Sequence, residues 1–181
     1  MRLPILLLAT ISTFVTLPAA DLAGVRFVDQ LTIAETPLRL HGMAVMKWKL
    51  LISVHASALW LPAGQTDPLA DVAKVFELHY FHDIAAADFR TATEESLVRS
   101  VGAATVTALR TRIDRFNALY QDMKDGQRYR LTYRPGIGTE LAKDGVPLGT
   151  IEGADFAAAV FGIWLGPKAI DSGFRDRVLG K

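Results

Sequence analysis

Two hydrophobic periods alternate along the chain. Val25 to Leu31 and Thr36 to Leu40 alternate weakly and predict short strands. From Gly42 a longer run follows, with Met46, Trp48, Leu50, Ile52, Val54, Ala56, Ala58 and Trp60 as an unbroken apolar face. Its other face is mixed: Lys47, Lys49, Leu51, Ser53, His55, Ser57, Leu59 and Leu61. That period of two predicts one long strand, ended by Pro62-Ala63-Gly64. Asp67 to Ala73 predicts a helical turn or two, and Lys74 to Phe81 a strand with Val75, Glu77, His79 and Phe81 on one side. The period then lengthens to that of a helix. A first helix is capped by Asp83 or a neighbour and runs through Phe89 and Leu97 to about Ser100. A second places Val106, Leu109, Ile113, Phe116 and Tyr120 on one stripe, with Arg110, Arg112, Asp114 and Arg115 outside it. Gln127 to Arg134 returns to strand, and Thr139 to Lys143 pairs with Val146 to Ile151 across Asp144-Gly145, a two-residue hairpin signal. Asp155 to Trp164 is a helix apolar enough to be buried, and Asp171 to Leu179 a shorter, more polar one. Strands, helices, then strands and helices again predict an α+β domain with a large antiparallel sheet covered on one face.

Composition narrows the class. The chain has 181 residues, half of them hydrophobic, which suits one domain with a real core. Its formal charge is +1 and no basic run interleaves with aromatics, which argues against nucleic acid as a partner. The first residues, MRLPILLLATISTFVTLPAA, read as a signal peptide over 1–20, leaving a mature domain over 21–181. The apolar stretch is short for the ~20 residues of a membrane span. Removing Arg2 takes the charge from +1 to zero, so the mature chain has no strong pull toward anionic lipid and no stable membrane anchor. With no cysteine, disulfides, thiolate metal sites, a cysteine nucleophile and a lipoprotein anchor are excluded. The periplasm of a bacterium is the expected compartment, with secretion as the alternative. Nothing in the sequence sets an oligomeric state.

Local motifs give no enzyme. GIGTEL at Gly136 to Leu141 lacks the third glycine of a nucleotide fingerprint and leads into a hairpin. His79 and His82 are three apart, which on a strand turns them to opposite faces and away from joint metal binding. His41 reads as a turn residue, and Glu94-Glu95 as solvated neighbours on a helix that do not converge. No nucleophile elbow occurs. No motif calls for a metal or a cofactor. What remains is an apolar face with Trp48 and Trp60, His55 opposite, and an apolar helix, which could line a pocket or fill a core.

The motifs LRLHG at Leu38 to Gly42, ALWLP at Ala58 to Pro62, YRPGIGTELAKDGVPLGTIEG at Tyr133 to Gly153, DFAAAVFGIWLG at Asp155 to Gly166 and VLG at Val178 to Gly180 resemble the chalcone isomerase-like family, in its exported bacterial branch. The resemblance implies an open-faced β-sandwich with a cleft between sheet and helices. The family holds plant isomerases that close a flavanone ring, fatty-acid binders, and members without known activity. Isomerases and fatty-acid binders share an arginine after the glycine of the first strand motif, and that position matches Met46. A thioether can neither stabilise an oxyanion nor pair with a carboxylate. Lys47 is next door, but a one-residue step on a strand points it to the other face. The other polar pocket positions of the isomerases fall near His55, Phe89, Ser96 and Ile163.

Three readings follow. The leading one is a non-catalytic protein binding a small apolar or fatty-acid-like ligand, with Met46, Trp48, His55, Phe89, Ser96 and Ile163 lining the pocket. The second is an enzyme of isomerase or lyase type on another substrate, with His55 as acid or base. The third is an envelope scaffold with no ligand.

Overall fold

A computed structural model describes residues 18–49 and 51–181, and the expected signal segment falls almost wholly outside them. Period-two segments form two sheets. A small hairpin joins β1 (Ala19–Leu22) and β2 (Val25–Val28), so the cleavage point expected after Ala20 lies within β1. The main sheet is an antiparallel meander in the order of the chain: β3 (Gln30–Ile33), β4 (Thr36–Trp48), β5 (Ile52–Pro62), β6 (Lys74–Tyr80), β7 (Arg128–Arg134), β8 (Gly138–Lys143) and β9 (Val146–Ile151). Asp144 and Gly145 both take the positive φ that their two-residue turn requires.

The long strand expected from Gly42 to Leu61 is instead two strands. The chain reverses between Trp48 and Ile52, where Lys49 adopts φ 49° and the Leu51 N–H donates to Trp48 O at 3.2 Å. β4 and β5 both carry apolar residues up to the turn, so the alternation runs through it without a break. His41 is not a turn residue either. It occupies a register shift within β4, between Leu40 and Gly42. Gly42 is required there because a Cβ would lie 2.3 Å from the Val178 carbonyl oxygen of the last helix.

Each face of the sheet is covered differently. On one, Ala56, Ala58, Trp60 and Val75 pack under the β1–β2 hairpin, with Trp60 Nε1 donating to Val28 O at 2.8 Å and Phe27 edge-on to Trp60. On the other lie α1 (Ala86–Val101), α2 (Ala103–Ala108), α3 (Arg110–Asn117), α4 (Ala154–Leu165) and α5 (Ser172–Val178), over a core that includes Leu59, Phe76, Leu131, Phe156 and Phe161. The stripe expected on the second helix is buried throughout, but that helix breaks at Leu109 into α2 and α3. Asp83 does not cap α1. It accepts from Lys124 Nζ and the Asp125 N–H, and Asp122, distant in sequence, accepts from the Ala86 N–H. Glu94, expected in solvent, accepts a two-pronged pair from Arg110 and a bond from Asn117 Nδ2 at 2.7 Å.

The expected side of β6 holding Glu77 faces the hairpin, and Glu77 is buried there between Arg128 Nη1 and Arg130 Nε, each at 2.6 Å. Removing a buried carboxylate strands both guanidinium groups. Glu77→Ala is expected to cost about 3 kcal/mol, a fall in Tm of roughly 10 °C in a thermal melt. A Tm unchanged from wild type would show that the pair contributes nothing.

Candidate functional site

The helical layer does not fill the whole inner face of the sheet. Beyond the end of the core, between β4–β8 on one side and α1 and α4 on the other, lies a cavity of about 380 Å³. Its floor is built by cross-strand pairing. Met46 on β4 stands opposite His55 on β5, so the two side chains share one face although the sequence pattern set them apart. The next pair is Lys47 with Ser53, which leaves Val54 as an extra residue. A bulge of this kind breaks the strict alternation. Met46, Lys47, Trp48 and Lys49 all reach the cavity wall, together with Val54 and His55. Lys47 is therefore on the rim and not, as the period of two implies, on the far face.

The structure brings together the six residues named from the sequence: Met46, Trp48, His55, Phe89, Ser96 and Ile163 all line this space. Trp60, the other aromatic of the apolar face, does not, because it faces the β1–β2 hairpin. Sequence reasoning missed the tyrosines. Phe89 sits in a cage of three, edge-on to Tyr80 and Tyr129 at 5.2 Å and stacked on Tyr120 at 5.3 Å. Tyr80 shares the inner face of β6 with Phe76 and Leu78, a second apolar alternation that marks it as inward. Tyr120 belongs to a stripe that reads equally well as core.

The interior holds polar groups but no charge. His55 is wedged edge-on between Tyr80 and Phe174, and its Nδ1 is 2.8 Å from Ser57 Oγ. Burial lowers its pKa from 6.5 to about 3, so the ring is neutral at physiological pH. Burial likewise pushes the hydroxyls of Tyr80, Tyr120 and Tyr129 above the ordinary tyrosine range. Tyr120 is paired with Thr93 Oγ1 at 2.8 Å. The charged lining residues, Lys47, Lys49, Asp88 and Asp171, are on the outer wall, and Asp171 also caps α5 by accepting from the Phe174 N–H. Among the described residues no group of three His, Asp or Glu side chains is placed to hold a metal, and no helix is long and apolar enough to cross a membrane.

A buried neutral histidine couples stability to pH. Its folded pKa lies below the unfolded value, so the unfolded chain binds the proton first and stability falls as pH drops from 6.5 toward about 3. Over that window the wild type is expected to lose stability faster than His55→Gln by up to ~1.4 kcal/mol per pH unit. Chemical denaturation of both across the window checks this, and parallel curves would contradict it.

The geometry can be set beside known proteins. The chalcone isomerase-like family matches residues 19–180. Among solved structures, a fatty-acid binding protein of Arabidopsis thaliana superposes with a TM-score of 0.67 at 18% identity, covering 90% of this chain and 96% of that one. At that identity the likeness is one of fold. No curated protein matches the sequence. With the family's pattern running from β1 to the last residues after α5, this chain belongs to the chalcone isomerase-like family.

Proposed function

We propose that the protein binds a small amphipathic molecule of the fatty-acid class in the cavity between sheet and helices and does not transform it. The observation that carries this reading is the cavity itself, about 380 Å³ of mainly apolar wall with an uncharged interior and with its charges, Lys47, Lys49, Asp88 and Asp171, at the rim. Ligand pockets are typically ~300–1,000 Å³, mostly apolar, with a few polar groups. The resemblance in fold to a fatty-acid binding protein supports the class of ligand.

Catalysis by His55 has less support. A group with a pKa of about 3 is a poor proton carrier near neutrality, and Met46 beside it supplies no charge for an oxyanion. A pure scaffold role would leave the cavity without a purpose. Residence in the periplasm is part of the same proposal, motivated by the apolar N-terminal segment and the absence of cysteine.

Burying a methylene contributes ~0.8 kcal/mol. Saturated fatty acids of increasing length, titrated against the protein by calorimetry, are expected to bind about fourfold more tightly per added methylene until the cavity is full. Ser96→Phe, which places a ring in the cavity, should weaken every member of the series by at least tenfold while the Tm stays within a few degrees. Affinities independent of chain length, or unaffected by Ser96→Phe, would overturn the assignment.

A further inference from the structure

The mouth of the cavity is unlike the rest of the surface. Seven large hydrophobic residues are exposed among the described residues, and four of them gather here. Trp48 is 55% exposed, Leu51 87% and Ile52 43%, all on the turn between β4 and β5, and Ile170, 43% exposed, is on the opposite lip ahead of α5. Trp48 and Ile170 are also lining residues, so the apolar surface continues from the outside into the cavity. Basic groups accompany it. Lys47 and Lys49 flank Trp48, with Lys49 Nζ 4.3 Å from the Trp48 ring, and Lys168 is exposed on the segment leading to Ile170. From Thr36 to Thr66 the chain has no acidic residue. Asp88 and Asp171 are the only acidic lining residues, and one of them is engaged as the cap of α5.

Exposed aliphatic side chains with a tryptophan and flanking lysines match the chemistry of a bilayer interface, in which tryptophan favours the headgroup level and lysines meet anionic lipid. A net charge near zero does not show this, because it sums the whole chain, whereas Lys47, Lys49 and Lys168 are a local group beside the exposed apolar side chains. We propose that the β4–β5 turn and the Ile170 lip dock the protein, cavity mouth down, on the surface of a bilayer containing anionic phospholipid. Docked in this way, the cavity faces the lipid phase, and an amphiphile can pass between membrane and cavity without crossing water. The purpose rests on the ligand reading; the docking stands on the surface alone.

The test is sedimentation of the purified protein, its N-terminus established by mass spectrometry, with vesicles of phosphatidylcholine and phosphatidylglycerol in equal parts and with phosphatidylcholine vesicles. Binding is expected to the mixed vesicles and to weaken when salt is raised or the anionic lipid omitted. Leu51→Ser, at a site too exposed to affect folding, should weaken binding about tenfold, and Lys47→Gln and Lys49→Gln about fivefold each. Brominated phospholipid should quench wild-type fluorescence by a component that Trp48→Phe removes. No sedimentation with either vesicle, or binding indifferent to these substitutions, would overturn the proposal. So would self-association in the ultracentrifuge that Leu51→Ser dissolves, which would assign the surface to a second copy. Ser96→Phe separates the two claims: it should still dock while failing to bind fatty acid, and a chain-length series that succeeds alongside vesicle binding that fails would remove the docking alone.

Discussion

The pairing of Met46 with His55 across β4 and β5 is the constraint on which the site depends. It places a thioether and a buried neutral imidazole side by side on the inner face, where a cation would have made the cleft an anion site. Gly42 acts further along the same strand. By allowing the carbonyl of Val178 to approach, it brings α5 down so that Phe174 closes on the His55 ring. The imidazole is thereby sealed between Phe174 and Tyr80, desolvated, and stripped of its ordinary basicity.

Charge is distributed by depth. Where the fold needs ion pairs it places them away from the cavity: Glu77 with Arg128 and Arg130 beneath the β1–β2 hairpin, Glu94 with Arg110 between helices, Arg112 with Asp155 between α3 and α4. The cavity interior keeps only neutral donors, which are costly to bury alone, and several are held by a neighbour: Thr93 for Tyr120, Ser57 for His55 and the Gln121 backbone for Tyr129. Charges reappear at the mouth. In the proposed function that gradient, apolar within and charged at the rim, suits an amphiphile with its tail inside and its polar head outside, where Lys47 and Lys49 can meet it.

Much of the fold was legible because local chemistry agreed with it. Asp144-Gly145 specified its turn, the apolar run from Asp155 specified a buried helix, and alternation located β6 to β9. The failures share a cause. The turn at Lys49 has no glycine, proline or asparagine to announce it, and both strands carry their apolar residues up to it, so two strands read as one. The bulge at Val54, the cap that Asp122 supplies to α1, and the arginines around Glu77 all depend on partners remote in sequence. Of the six residues assigned to the pocket, Met46, His55, Phe89, Ser96 and Ile163 came from the family's motif positions and Trp48 from the apolar alternation. The tyrosine cage did not, because Tyr120 on a helical stripe looks the same whether it meets core or cavity.

The most direct measurement is native mass spectrometry of the purified protein, followed by organic extraction and identification of what is released. The account predicts a bound species with a long apolar tail and an acidic head, at up to one per chain. An apo mass that persists after incubation with mixed fatty acids and phospholipids would contradict it.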